Sequence, residues 1–154
     1  MFHIALFEPE IPPNTGNIIR LAANTASSLH LIEPLGFSLD EKKLRRAGLD
    51  YSEFVEVRCH ASYEAMLAAL PDRRVVALSS KASSRHSDFI FADEDILLFG
   101  PETRGLPTEV LATIAQENTL RIPMALGSRS LNLSNAVATV LYEALRQQDF
   151  PGLR

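Results

Sequence analysis

Residues 121–143 read R-I-P-M-A-L-G-S-R-S-L-N-L-S-N-A-V-A-T-V-L-Y-E, a strand end, a polar loop and a long helix in one run. Ile122-Pro123-Met124 closes the strand, because Pro123 has no N–H with which to continue a ladder. Leu126 to Leu131 is a loop of Gly127, Ser128 and Ser130 with Arg129 among them. Such a loop leaves backbone N–H and C=O groups open to a polar ligand. Asn132 or Ser130 suits the N-cap of the helix that follows. In that helix Leu133, Val137, Val140, Leu141 and Ala144 fall on one stripe at helical spacing. The stretch alone fits either an ordinary strand-loop-helix unit or a ligand loop whose helix packs on a partner.

Working outward, strands and helices alternate. Strands are expected at Phe2–Glu8, Leu29–Glu33, Phe54–Arg58, Arg74–Leu78, Asp95–Phe99 and Thr119–Ile122. Helices are expected at Ile18–Ala26, Leu39–Leu49, Ser62–Leu70 and Pro107–Ala115, besides the last one. Pro9, Pro12 and Pro13 read as a stiff loop, Ser79–Asp88 as a mobile surface loop, and the residues after Gln148 as a fraying end. The pattern implies an α/β layer fold, a mostly parallel sheet with helices on both faces. No internal repeat or long linker divides residues 1–154, so a single domain is expected.

The composition is that of a soluble globular chain: 154 residues, 46% hydrophobic and 22% charged. No apolar run is long enough to span a bilayer. The N-terminus lacks the basic start of a signal peptide, and Cys59 is the only cysteine, so no intrachain disulfide forms. A cytoplasmic protein is the simplest expectation. His3, His30, His60 and His86 are dispersed without metal-ligand spacing, so no metal is expected. A net charge of −4 argues against a general nucleic-acid binder. The basic residues nevertheless cluster, at Lys42, Lys43, Arg45 and Arg46, at Arg73 and Arg74, and at Lys81, Arg85 and His86. Each cluster reads first as a solvated face, and second as a phosphate contact.

In parallel sheets ligands bind beyond the carboxyl ends of the strands, and three strand ends carry unusual loops. After the first strand comes P-P-N-T-G-N-I-I-R, with Asn14 and Arg20 six residues apart. Arg20 lies among Ile18, Ile19, Leu21, Ala22 and Ala23, so its charge must reach water, a structural carboxylate or an anionic ligand. After the fifth strand comes L-L-F-G-P-E-T-R-G-L-P, where Gly100 and Gly105 allow close approach or positive φ. Glu102 stands ready to accept from a ligand or to hold Arg20. The third loop is residues 126–131. There is no G-x-G-x-x-G, no P-loop and no G-x-S-x-G.

Asn14 to Arg20, Leu98 to Leu106 (L-x-G-x-E-x-x-G-L) and Ile122 to Ala136 (I-P-M-x-x-G-x-x-S-L-N-L-S-N-A) stand in the order of three motifs. Together they resemble those of the SpoU-type 2′-O-ribose methyltransferases, over nearly the whole chain and without a separate RNA-binding domain. The resemblance implies the SPOUT fold, in which the C-terminal segment threads a loop to form a deep trefoil knot. It implies S-adenosylmethionine among the three loops, held near Leu78, Gly100, Ile122, Ser130 and Leu131, and no metal. It implies a homodimer through the first and last helices, with Tyr142 in the interface. For catalysis it implies Arg20 at the RNA phosphate, orienting or deprotonating the ribose hydroxyl. Asn14 would orient Arg20 or the ribose, and Glu102 and Asn132 would hold the site together. The minimal form of the family acts on the wobble nucleotide of leucine tRNAs, so the expected partner is a tRNA anticodon stem-loop. Ribosomal RNA is the alternative substrate. A non-catalytic RNA-binding protein and a flavodoxin-like nucleotide-binding domain are the competing classes.

Overall fold

A computed structural model of the chain describes residues 1–39 and 56–154. Seven strands occur among the described residues: β1 (His3–Phe7), β2 (Ser28–Ile32), β3 (Val57–His60), β4 (Val75–Leu78), β5 (Ser84–Arg85), β6 (Ile96–Phe99) and β7 (Thr119–Arg121). They form one sheet in the order β3-β2-β1-β6-β4-β7-β5, with every neighbouring pair parallel. The helices are α1 (Pro12–Asn24), α2 (Tyr63–Ala69), α3 (Thr108–Leu111) and α4 (Leu133–Gln147).

The strand sequences are apolar at consecutive positions because both faces of the sheet are covered. Ile4 and Leu6 of β1, with Leu97 and Phe99 of β6, pack beneath α1 and α4 against Ile18, Ile19, Val137, Val140 and Leu141. Their neighbours Ala5, Ile96 and Leu98 face the other way, against Tyr63 and Met66 of α2 and Val110 of α3. The expected stripe of α4 is buried as read, with Val137, Val140, Leu141 and Ala144 at 0% exposure. At the foot of the sheet the Arg74 guanidinium makes a two-pronged contact with the buried Asp95 carboxylate, at 2.9 and 2.6 Å. Arg73 meets Glu94 at 3.1 Å. These two arginines therefore have structural partners, as a solvated or paired face would require.

Several boundaries differ from the expectation. The helix expected from Ile18 begins at Pro12, six residues earlier, because two prolines fill its first turn. A helix leaves its first N–H groups without intrahelical partners, so residues lacking an N–H, with φ already fixed, are at home there. The third strand runs Val57–His60, two residues past the expected end at Arg58, while Phe54 and Val55 lie outside the described residues, and the Pro107–Ala115 helix contracts to Thr108–Leu111. The polar stretch 79–88 is not simply a loop. Ser84 and Arg85 pair with Leu120 and Arg121 to form the edge strand, followed by a 3-10 turn at His86–Asp88. The C-terminus does not fray. The Phe150 N–H reaches the Leu145 carbonyl at 2.9 Å, Gln148 Nε2 reaches the Phe91 carbonyl at 3.0 Å, and Leu153 packs on the core. All but the first residue of the helix expected at Leu39–Leu49, and with it the cluster Lys42, Lys43, Arg45 and Arg46, lies outside the described residues.

Three of the dispersed histidines meet across adjacent strands. His3 Nε2 lies 2.9 Å from Glu94 Oε2, and His3 Nδ1 lies 2.6 Å from Ser28 Oγ. Ser28 Oγ lies 3.0 Å from His30 Nε2, and His30 Nδ1 lies 2.9 Å from His60 Nε2. Glu94 sets the direction of this row. An ionised carboxylate accepts from the His3 Nε2–H, which leaves His3 Nδ1 to accept from the Ser28 hydroxyl. Ser28 then accepts from His30, and His30 Nδ1 accepts from His60. Burial, then the neighbouring His3, His60 and Arg58 charges, push the His30 pKa down to about 3. No group of His, Cys, Asp and Glu with the arrangement of a metal site occurs among the described residues.

Candidate active site

The carboxyl ends of β4, β6 and β7 surround an open cleft. Leu78 ends β4, Gly100 follows β6 and Ile122 follows β7, while Ser130 and Leu131 come from the loop before α4; all five line this one cleft. Ser79, Ser80, Lys81, Phe99 and Met124 add polar and apolar wall. Gly100 is required by packing. A Cβ there would stand 2.3 Å from the Leu106 nitrogen and 2.4 Å from the Gly105 carbonyl carbon. The loop after β6 thus folds back on its own first residue, aided by Gly105 at φ +67°. Across the cleft, residues 125–128 form a turn through Gly127 at φ +74°, with the Ser128 N–H and hydroxyl both donating to the Ala125 carbonyl.

The other two motifs come to the same end of the sheet. Asn132 is the N-cap of α4, its Oδ1 accepting from Ser134 N–H at 3.0 Å and Asn135 N–H at 3.4 Å. With that oxygen engaged, its Nδ2 donates to Asn14 Oδ1 at 2.9 Å, joining the last helix to the first. Glu102 does not act as a bare ligand group. Its carboxylate accepts from the backbone N–H groups of Glu10, at 2.8 Å, and Ile11, at 3.3 Å. Ile11 is the N-cap of α1 and has no side-chain cap, so Glu102 supplies the acceptor that this helix start lacks. A carboxylate is also favoured there by the helix dipole. Arg20 lies about two and a half turns beyond Ile11 on α1 and is exposed, while Ile18, Ile19 and Ala22 beside it are buried.

Sequence reading missed the residues that answer Glu102. Glu10 accepts from the Thr103 hydroxyl at 2.8 Å and the Thr103 N–H at 3.2 Å. Arg104, which also lines the cleft, donates to Glu8 at 3.1 Å. The hydrogen bonds from Thr103, side chain first, lower the Glu10 pKa below the ordinary carboxylate range. The readable signal was complementarity: a strand end carrying Glu8 and Glu10, and another carrying Thr103 and Arg104. The arrangement offers an organic ligand an apolar slot with a glycine floor. The helix that bears the Arg20 cation has its start fixed to the slot's own wall by Glu102.

The fold and motifs have known relatives. A family model described as the SpoU rRNA Methylase family matches residues 1–142. The tRNA (cytidine(34)-2′-O)-methyltransferase of Methylovorus glucosotrophus (strain SIP3-4) is 57% identical over 152 residues, which is 99% of each chain. A solved structure concerned with the 2-OH methylation of C/U34 on tRNA superposes with a TM-score of 0.89 at 51% identity, covering 97% of both chains. The SpoU methyltransferase AviRb from Streptomyces viridochromogenes, in complex with the cofactor AdoMet, gives a TM-score of 0.78 at 29% identity, covering 99% of this chain and 58% of that one. On the family match over residues 1–142 and on the 57% identity to the Methylovorus enzyme, the chain belongs to the SpoU methylase family.

Proposed function

We propose that this chain is an S-adenosylmethionine-dependent 2′-O-ribose methyltransferase acting on the wobble nucleotide, C34 or a modified U34, of leucine tRNAs. One observation carries the reading: the cleft of β4, β6 and β7 is tied by Glu102 and by the Asn132–Asn14 bond to the helix that bears Arg20. The cleft fits the methyl donor in kind, since Gly100 keeps clear the space a side chain would fill and Leu78, Ile122 and Leu131 offer apolar walls beside Ser130. S-adenosylmethionine supplies a sulfonium methyl, which passes to the ribose 2′-oxygen as the carbon–sulfur bond breaks and the hydroxyl proton leaves.

The chain's own residues position and stabilise. Arg20 binds the neighbouring RNA phosphate and holds the 2′-hydroxyl in line, which lowers the barrier by orientation and by favouring the developing negative charge on oxygen. A guanidinium keeps its proton to beyond about pH 12, so the phosphate is the better proton acceptor and Arg20 its positioner. Asn14 and Asn132 fix the start of both helices. Single-stranded anticodon bases suit recognition by edge and stacking, with Lys81 at the cleft as one basic contact. A homodimer through α1 and α4 is part of this reading, supported by Tyr142 on α4 at 46% exposure and Ile11 at 41%. So are a knotted C-terminal segment, a single domain and a cytoplasmic location.

The test is methyl transfer from labelled S-adenosylmethionine to tRNA from cells lacking this protein, followed by nucleoside analysis. Label in a 2′-O-methylated nucleoside at position 34 is the expected result. Transfer to ribosomal RNA alone overturns the substrate and keeps the chemistry. Arg20→Ala is expected to abolish transfer while cofactor affinity stays near the wild-type value; wild-type turnover in that variant removes Arg20 from the mechanism.

A further inference from the structure

Two strand-end loops exchange hydrogen bonds at the rim of the cleft. The loop after β6 sends the Glu102 carboxylate to the N–H groups of Glu10 and Ile11. The loop after β1 returns the Glu10 carboxylate to the Thr103 hydroxyl and N–H, and the Glu8 carboxylate to Arg104. The contacts are reciprocal, and each ties a residue within the stretch 101–105 to a residue within 8–11. Stretch 101–105 walls the cleft through Pro101, Glu102, Arg104 and Gly105. Stretch 8–11 leads directly into α1, which bears Asn14 and Arg20.

The inner segment is held unusually firmly from behind. The Glu8 N–H donates to the Ile32 carbonyl at 3.0 Å, and the Gly36 N–H donates to the Pro9 carbonyl at 2.9 Å. Gly36 lies so close to Glu10 that a Cβ would come 2.8 Å from the Glu10 Cα. Glu8 sits at φ +47°, a conformation that glycine adopts freely and that costs a residue with a side chain. A strained position occupied by a residue whose carboxylate is in use marks a place where side-chain chemistry outweighs backbone ease. Glu8, Thr103 and Arg104 are solvent-accessible, and exposed pairs of this kind add little to global stability. Their consequence is local: they set the distance and angle between the cleft wall and the first turn of α1.

We propose that Glu10, with Glu8, Thr103 and Arg104, is a positioning residue for methyl transfer: the clasp holds the Arg20 helix in register with the ligand in the cleft. This rests on the methyltransferase reading above. Misplacement of a reacting group by about 1 Å is enough to cost on the order of a hundredfold in rate.

The experiment compares Glu10→Ala, Glu10→Gln and wild type in three measurements. These are calorimetric affinity for S-adenosylmethionine, single-turnover methyl transfer at saturating RNA, and hydrogen exchange of the backbone amides of residues 10–20. Glu10→Ala is expected to bind S-adenosylmethionine as wild type does, to exchange faster at residues 10–20 but not within α4, and to transfer methyl on the order of tenfold to a hundredfold more slowly. Glu10→Gln, which keeps an acceptor oxygen for Thr103, is expected to recover most of the rate. An Ala variant that transfers at the wild-type rate, or whose residues 10–20 exchange no faster, overturns the clasp. So does equal loss of rate in Glu10→Gln and Glu10→Ala. Should wild type itself methylate no RNA, the functional reading fails, and the clasp then stands or falls on the exchange measurement alone.

Discussion

Asn132 Nδ2 donates to Asn14 Oδ1 at 2.9 Å, across 118 residues of sequence, while Asn132 Oδ1 caps α4. One side chain therefore fixes the start of the last helix and ties it to the first. Its amide orientation follows from the cap, since the backbone N–H groups of Ser134 and Asn135 require the oxygen.

Removing Asn132 is expected to remove both functions. Asn132→Ala should lower stability by about 1–2 kcal/mol from the lost cap alone. In a double-mutant cycle with Asn14→Ala, the coupling energy should be about 0.5–1.5 kcal/mol, the net worth of one hydrogen bond. Urea unfolding of the four proteins measures it; strict additivity would deny the bond any energetic role.

Gly100→Ala puts a methyl group 2.3 Å from the Leu106 nitrogen and 2.4 Å from the Gly105 carbonyl carbon, both backbone atoms. The loop must open to admit it, at about 1–3 kcal/mol in stability. Opening displaces the same residues that wall the cleft. Loss of cofactor affinity by calorimetry, together with a lower Tm, is the expected outcome.

Much of the site was legible in the linear chain because it sits in three loops whose residue types are chemically unusual for their position. The sequence reading gives Glu102 and Asn132 the role of holding the site together and Asn14 that of orienting Arg20 or the ribose; in the structure Glu102 accepts from the backbone N–H groups of Glu10 and Ile11, and Asn132 donates to Asn14. What was not legible depends on neighbours. Pro12 and Pro13 look like a loop until the helix start gives their missing N–H groups a reason. Ser84 and Arg85 are polar and exposed, so their strand exists only because β7 lies alongside. The histidine row needs the register that brings His3 opposite Ser28, and His30 two residues further along β2. The spacing of His3, His30 and His60 in sequence carries no trace of that register.

That row makes stability depend on pH. His30 has its pKa lowered from 6.5 to about 3, burial being the largest cause. As pH falls, the unfolded chain therefore binds a proton at His30 before the folded one does. The stabilisation is fully present above the unfolded value of 6.5 and is lost as pH falls from there toward the folded value. Between about pH 7.5 and about pH 5.5 this one group should cost about 1.4 kcal/mol. His60, also lowered by burial, adds in the same direction. The carboxylates Glu10, Glu94 and Glu143, whose pKa values are lowered, stabilise above their ordinary value of 4.5 and lose that contribution only as pH falls below it. Denaturant midpoints across this range should slope for wild type and flatten in His30→Asn.

The buried face of α4 sets a scale for these effects. Leu141→Ala empties part of a site with 0% exposure between α4 and the sheet. Such truncations cost about 2–5 kcal/mol, so thermal unfolding should place this variant well below Asn132→Ala.

β5 touches the sheet only through β7, and β7 lies between β4 and β5, both of which precede it in the chain. The sheet therefore cannot be assembled in the order in which its strands are synthesised. Residues 84–85 have no pairing partner until residues 119–121 have been made and have reached β4, more than thirty residues later. Contacts of such long sequence separation require loop closure before any reward, which slows folding. The wall of the cleft formed by Ile122, Ser130 and Leu131 comes from this late segment. The nascent chain thus has no complete cleft until residues 122–131 are in place, and ligand binding becomes a report on synthesis past that segment.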